Sequence, residues 1–356
     1  MRIAVIGLGL IGGSIALAVR ERADAHTVGW DPDPKALEAA VVRGALHSGA
    51  GSLASAVDGA EAVFVAAPVG ALPELVSAVL EAAPADCVVS DVGSTKRSVV
   101  AAHADPRFVG GHPLAGAETS GIGNARADLF DGATWYLTPT GATDGQLYER
   151  LHRLIGGLGA RPTAIDADTH DRLLALVSHL PHVFANVLVA QAAAGSGADD
   201  ERLPVVGPSF RDATRVAGAN TQMWTDIYMS NRDALITALD ESIARLQTVR
   251  DRLADGDAAE LSRWNDEAAH ARRRLLAAQI AEGEVFELRV PVPNRPGVVA
   301  QIALELGRAG VNIPDLAVYP APSMTEGVVT LWIAGASDTD RAQRIIAELG
   351  FQVLRP

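Results

Sequence analysis

Cysteine is almost absent. Cys87 is the single one in 356 residues, so no intrachain disulfide can form, and its place in an apolar strand pattern marks it as a small buried residue. Basic residues are also short: 30 Lys and Arg face 43 Asp and Glu, leaving a net charge of −13 and no basic stripe. That balance excludes a nucleic-acid partner as an expectation, because phosphate neutralisation needs a basic face. No apolar run approaches ~18 residues. The chain enters its first strand directly after Met1, without a basic and apolar leader. Neither a membrane partner nor a secretory segment is therefore expected, and a cytoplasmic enzyme is. With 48% hydrophobic and 21% charged residues the composition is that of a folded chain. Its length exceeds one ordinary core and predicts two or three domains.

What is present begins at Arg2-Ile-Ala-Val-Ile-Gly-Leu-Gly-Leu-Ile-Gly-Gly-Ser14, an apolar strand running into a Gly-x-Gly-x-x-Gly turn and a helix. This pattern predicts a dinucleotide pyrophosphate cradle. Gly7 allows the tight turn, Gly9 the approach of backbone to phosphate, and Gly12 the packing of helix on strand, with the N–H groups of the helix start, Leu10 and Ile11 included, facing the negative charge. A second strand, residues 27–30, ends in Asp31, 19 residues beyond Gly12. A carboxylate there accepts from the adenosine ribose hydroxyls and repels a 2′-phosphate, which favours NAD over NADP. Pro68, past the apolar run at 62–66, is placed in the same cofactor site.

Residues 1–165 alternate short β-branched runs, at 62–66, 87–91, 108–111 and 135–138, with Ala-rich helix patterns. A Rossmann-type doubly wound, mostly parallel α/β sheet follows. Residues 166–281 change to apolar spacings of three and four, broken once at 195–200, and read as an all-helical substrate and dimerisation domain. Its long segments 233–253 and 258–280 are amphipathic, with Leu235, Leu239, Ile243 and Leu246 on one side, and a homodimer is expected. Residues 284–356 run strand, helix, strand, strand, helix, strand, closing at 351–354: the βαββαβ ferredoxin-like order. Phe286, Leu288, Val290 and Val292 share one face of its first strand.

Four clusters carry candidate chemistry. Ser90-Asp-Val-Gly-Ser-Thr-Lys96 lies at the C-terminal end of a parallel strand, where open α/β sheets place ligands. Gly110-Gly-His-Pro-Leu-Ala-Gly-Ala-Glu-Thr-Ser-Gly121 offers His112 as a general base, with a hydroxyl such as Ser94 to fix its tautomer. In Ser178-His-Leu-Pro-His182, Pro181 should kink or interrupt the helix and free backbone carbonyls, while His179 and His182 share a face. His170, nine residues before His179, falls on the opposite side by helix arithmetic, so a metal is not expected. Arg211 and Arg215 are i and i+4, a pair suited to a carboxylate; for Arg211, surface ion pairing with Asp212 stands as an equal reading.

These motifs together resemble the prephenate/arogenate dehydrogenase family over residues 1–280. The resemblance implies NAD-dependent oxidative decarboxylation of prephenate to 4-hydroxyphenylpyruvate in tyrosine synthesis. It implies that His112 accepts a hydrogen bond from the ring 4-hydroxyl, and that Ser94 orients that histidine beside the nicotinamide. Arg215 would then bind the ring carboxylate, and His182 would lie near the substrate side chain. Ala117 departs from the pattern, standing where several relatives carry a hydroxyl residue. Glu118 beside it suits either a pyruvyl or an alanyl side chain, which leaves prephenate and arogenate both open. The tail resembles the ACT domain, through Asn294, Pro296 and Gly297 before its first helix and Gly310 and Asn312 after it. An aromatic amino-acid effector is implied there; a purely structural dimerisation lobe is the other reading. Two further readings of the whole chain stand beside these. One is a β-hydroxy-acid dehydrogenase, which ordinarily wants a lysine in the helical domain, where there is none; the other is a non-catalytic sensor of NAD and amino acids.

Overall fold

The computed structural model describes residues 1–116, 119–194, 206–279, 285–293, 298–309, 311, 315–321 and 325–356. The chain divides into two compact units, Met1–Arg245 and Leu246–Pro356.

The first unit opens with β1 (Arg2–Ile6), α1 (Leu10–Arg22), β2 (His26–Trp30), α2 (Pro34–Val42), β3 (Ser48–Gly49), α3 (Leu53–Val57), β4 (Ala62–Val65), α4 (Leu72–Ala82), β5 (Val88–Asp91) and α5 (Arg97–Ala102). The five strands form a sheet in the order β3-β2-β1-β4-β5 whose pairs are all parallel. Both faces are covered, as side-chain alternation requires. Ile3, Val5, Phe64 and Val88 enter one buried cluster with α1, whereas Ala4, Ile6, Val63, Val65 and Val89 enter the other with α3 and α4. Cys87 is fully buried in the second cluster, and burial pushes its thiol up to about 12, which leaves it unreactive.

The sheet edge continues past β5 through a parallel bridge from Val89 to Phe108. A second, three-stranded sheet follows, of β6 (Gly110–Pro113), β7 (Thr134–Thr138) and β8 (Arg161–Ala164), with α6 (Gly145–Gly157) between the last two. Here β6 and β7 are antiparallel, and β7 and β8 parallel.

From residue 167 the first unit is helical: α7 (Ala167–Leu174), a π turn (Ala175–His179), α8 (Leu180–Ala194), α9 (Pro208–Thr214), α10 (Thr221–Ser230) and the start of α11 (Arg232–Ala254). The expected break at 195–200 lies outside the described residues. Pro181 does not stop the helix, and the regular winding is interrupted just ahead of it. The π turn ahead of it widens the ladder, so that Leu180 N–H donates to the Ala175 carbonyl five residues back, and the helix runs on. Joined in this way, Ala167–Ala194 is one helix long and apolar enough, by length and composition alone, to cross a membrane, a segment the sequence reading did not anticipate. It buries His170, Asp171, His179 and His182 within its own unit, while Leu176, Val177, Val187, Leu188 and Val189 are exposed. Along α11 the shared face is graded. Leu235 is buried, Leu239 half-buried, Ile243 50% exposed and Leu246 58% exposed, so the far part of the stripe is exposed among the described residues.

The second unit contains α12 (Ala258–Gln279), β9 (Val285–Pro293), α13 (Val298–Arg308), β10 (Asp315–Pro320), β11 (Glu326–Ala334) and α14 (Ala336–Glu348). Its antiparallel sheet runs β10-β11-β9. The strand expected at 351–354 reduces to one bridge, in which Leu354 and Arg289 exchange N–H to carbonyl bonds of 2.8 Å. Leu288, Val290 and Val292 are buried with Val298, Ile302 and Leu306, while Phe286 is half-buried.

The first turn depends on Gly7, at φ +92°. A Cβ there would sit 2.1 Å from the Ala66 carbonyl oxygen. Gly7→Ala is therefore expected to cost at least ~2 kcal/mol, a fall of roughly 4–8 °C in Tm by thermal melt. An unchanged Tm would show that β1 and β4 yield more readily than their packing implies.

Candidate active site

The end of β1 with the turn after it, the ends of β2 and β4 and the start of α4 border a cavity of about 590 Å³, lined among others by Gly7, Gly9, Asp31, Pro32, Ala66 and Pro68. Gly12 must be glycine for packing, since a Cβ would lie 1.9 Å from the Gly7 carbonyl oxygen, whereas at Gly9 it would meet nothing within 4 Å. Gly9 caps α1 without a side chain, and Gly13 N–H is the first to bond back to it, at 2.9 Å. The N–H groups of Leu10, Ile11 and Gly12 are thus left as the unsatisfied donors of a helix start. Asp31 is held in place from both sides: Oδ2 accepts from Leu8 N–H at 2.7 Å and Oδ1 from Asp33 N–H at 2.8 Å. A carboxylate oxygen has further lone pairs to offer, so a ribose diol fits beside these two bonds. Open space at Gly9, orphan donors behind it and a fixed acid at the mouth fit a dinucleotide.

Beyond the C-terminal end of β5 lies a buried polar network. Asp91 pairs with Lys96, both fully buried, and also accepts from Gly93 N–H at 2.8 Å and Gly111 N–H at 3.1 Å. Burial pulls the Lys96 ammonium below its ordinary range, and Asp91 opposes that pull. On α7, the Asp171 carboxylate accepts from the backbone N–H of Lys96 at 2.8 Å and of Arg97 at 2.9 Å. Burial pushes its carboxyl up, but the hydrogen bonds from His170, Arg97 and Lys96 outweigh burial and leave it below the usual range. Thr95 and Ser230 hydroxyls lie 2.8 Å apart, and Asn231 Nδ2 donates to the Asp171 carbonyl at 2.7 Å. The loop after β5 is thereby tied to α7 and to the end of α10.

His112 lies on β6, buried and paired in register with Tyr136. Its Nδ1 is 2.9 Å from His170 Nε2, and His170 Nδ1 is 2.8 Å from Asp171 Oδ1. The neighbour of His112 Nδ1 is therefore a histidine, where a hydroxyl such as Ser94 was expected. Ser94, half-buried in the loop after β5, makes no hydrogen bond to the ring among the described residues. Burial holds His112 well below the ordinary imidazole value, and His170, Lys96 and His179 press in the same direction. Helix arithmetic had set His170 on the face opposite His179. The π turn between them unwinds the helix, and Asn231 bridges the two regions, with its Nδ2 3.1 Å from His179 Nδ1.

His179 is lowered to about 4 by burial, against the pull of Asp171. His182 is stacked on Trp224, with centroids 3.6 Å apart and planes 7° apart, and its Nδ1 is bonded to the Tyr228 hydroxyl. Burial lowers this imidazole too. Nε2 of each ring is buried without a hydrogen-bond partner among the described residues, which a substrate would relieve. Arg215 is exposed at the C-terminal cap of α9, and α9 packs on α8, which carries His182. Arg211 is exposed, with Nη2 donating to the Val206 carbonyl at 3.2 Å. Glu118, Asn294, Pro296, Gly297, Gly310 and Asn312 lie outside the described residues. Sequence reasoning missed the roles of His170, Asp171, Lys96 and Asn231. The one available signal was that His170 and Leu174, at i and i+4, put an imidazole on the apolar face of α7.

Two family models match the chain: the nucleotide-binding domain of prephenate dehydrogenase at residues 15–164, and its dimerization domain at 166–267. A prephenate dehydrogenase of Bacillus subtilis is 33% identical over 97% of this chain and 95% of its own length. A cyclohexadienyl dehydrogenase of Zymomonas mobilis is 35% identical over 77% of this chain and 95% of its own. Among solved structures, prephenate dehydrogenase from Aquifex aeolicus in complex with hydroxyphenyl propionate and NAD+ superimposes with a TM-score of 0.73. It is 28% identical and matches 77% of this chain and 98% of that one. Synechocystis arogenate dehydrogenase gives a TM-score of 0.68 at 27% identity, over 77% and 100% of the two chains.

The ribose role assigned to Asp31 predicts that Asp31→Ala raises the Kd for NAD roughly 10- to 100-fold and gains binding of NADP, measured by calorimetric titration. A Kd within twofold of the parent would remove Asp31 from ribose recognition.

Proposed function

The chain belongs to the prephenate dehydrogenase family and is an NAD-dependent oxidoreductase acting on a prephenate-like substrate in tyrosine biosynthesis; on that premise we propose that it converts prephenate to 4-hydroxyphenylpyruvate by oxidative decarboxylation. The observation that carries this reading is His112 itself: buried, kept uncharged by its surroundings, engaged at Nδ1, and with Nε2 free of any partner among the described residues.

NAD held by the glycine cradle would supply the acceptor for the hydride that leaves the hydroxyl-bearing ring carbon. Nε2 of His112 accepts a hydrogen bond from the ring 4-hydroxyl and draws its proton as carbonyl character builds at that carbon. The C–C bond to the ring carboxylate then breaks, its electron pair enters the ring, and CO₂ leaves as aromaticity is restored. The same electron flow returns the oxygen to a phenol, which recovers its proton from His112. Ser94 stands beside the nicotinamide, Arg215 holds the ring carboxylate, and His182 lies by the side chain. Arg211 and Glu118 complete the carboxylate and side-chain contacts. The protein's contribution is alignment and proton management, with the hard electron transfer left to the cofactor.

The division of labour follows residues 1–165 for NAD, 166–281 for substrate and dimerisation, and 284–356 for an effector, in a cytoplasmic homodimer. The uncovered apolar stripe of α11 supports the dimer. In the tail, sheet order β10-β11-β9 with Leu354 on the far side of β9 supports a ferredoxin-like, ACT-type module that takes an aromatic amino acid. We expect saturating tyrosine to lower the initial rate; identical kinetics with tyrosine, phenylalanine and tryptophan would remove the effector.

For the reaction itself, His112→Asn is expected to keep the Kd for NAD within about twofold while cutting kcat by ~10²- to 10⁴-fold, read as NADH absorbance with prephenate and, separately, arogenate. Parental turnover in that variant would exclude His112 from proton transfer, and no signal from the parent protein with either compound would overturn the reaction.

A further inference from the structure

We propose that His170 and Asp171 are positioning residues that fix the tautomer of His112, so that its bare Nε2 always faces the substrate; this rests on the reading of His112 as the proton acceptor.

The argument is a donor and acceptor inventory. An ionised carboxylate only accepts. Asp171 already takes the N–H groups of Lys96 and Arg97, and Oδ1 also faces His170 Nδ1 at 2.8 Å, so the proton of that contact belongs to His170. A neutral imidazole with its proton on Nδ1 has a bare Nε2, which must accept across the 2.9 Å contact to His112 Nδ1. The second proton of the chain therefore sits on Nδ1 of His112, and Nε2 is left as its acceptor. Reversing either contact would need a donor on the carboxylate.

The same chain handles the charge formed in the reaction. When the ring hydroxyl gives its proton to Nε2, the Nδ1 proton of His112 can pass to His170 Nε2, and the positive charge then rests against the Asp171 carboxylate. Without that displacement the charge would stay on a ring already facing Lys96 and His179. Lys96 has its own partner in Asp91, and Tyr136 meets His170 edge-on, with centroids 5.6 Å apart. Among the described residues, Asp171 is thus the one carboxylate bonded into the chain of imidazoles that ends at His112. His170 and Asp171 are both buried, and neither has a role in the reaction as described above.

The test compares His170→Leu, His170→Gln, Asp171→Asn and His112→Asn. Glutamine places an amide oxygen near the position of Nε2 and can still accept from His112, whereas leucine cannot. The relay predicts that His170→Leu loses ~10²-fold or more in kcat, that His170→Gln stays within about tenfold of the parent, and that both keep the Kd for NAD within about twofold. Asp171→Asn takes away the negative charge at the end of the chain and sets an amide N–H against one of the backbone donors that Asp171 now accepts, and it loses turnover comparably. Its acid limb of kcat/KM moves to lower pH, because the carboxylate no longer shares the charge. If His170→Leu does not fold, the other two decide: turnover kept in His170→Gln and lost in Asp171→Asn supports the relay, and any other pattern overturns it. Inactive His112→Asn beside parental kcat and pH profile in His170→Leu overturns the relay alone. Fully active His112→Asn would instead overturn the reading of His112, and the relay with it.

Discussion

A carboxylate taken out of water is tolerated only where its lone pairs are engaged, and Asp171 is the point on which the first unit turns. Two of its donors are backbone N–H groups of the segment that follows β5, and the third is an imidazole on its own helix. The demand of one buried charge thus anchors the loop at the end of the parallel sheet to the first helix of the helical region. Five residues earlier, Asp91 makes a parallel demand and is met by Lys96 and two further N–H groups. The intervening loop is held at both ends by buried carboxylates and has little freedom left, which suits a segment at the ligand end of an open α/β sheet.

The surroundings of His112 combine burial with a balance of charge. Among the described residues Lys96 is the formal cation facing it, and that cation is spent on Asp91. His179 is kept neutral by burial. An imidazole in such a place resists protonation in the resting enzyme and becomes an effective acceptor only as the substrate hydroxyl turns acidic along the reaction. Trp224 and Tyr228, stacked on and bonded to His182, leave that ring one free nitrogen and no freedom to rotate. Aromatic side chains are few here, and these two fix the orientation of His182.

The cofactor cradle was legible because its determinants are local. Gly7, Gly12 and Asp31 follow from turn geometry and strand length, and the alternation at residues 3–6 declares a sheet buried on both faces. The tail was legible in the same way, through period-two and period-3.6 patterns, except that 351–354 contributes a single bridge where a strand was expected. The polar network resisted reading because it depends on side chains brought together across 58 to 75 residues of chain. His170 was misplaced for a more specific reason: the arithmetic assumed uniform α-helical winding from His170 to His179, across what is a π turn. A proline without a preceding Pro or Gly signal does not announce whether the helix will bend or widen to accept it.

That widened turn has a consequence for how the chain can vary. Each residue of an α-helix advances its face by about 100°, and the π turn at Ala175–His179 holds one residue more than regular winding would. Because the wider turn absorbs that residue, removing one there would restore a plain helix with His182 still close to its present facing, whereas removing one elsewhere along Ala167–Ala194 would swing all that follows by about 100°. The π turn is thus where this helix can change its length by a residue while His170, Asp171 and His182 keep their angular relation, and Leu176 and Val177, which face outward there, are free of the core.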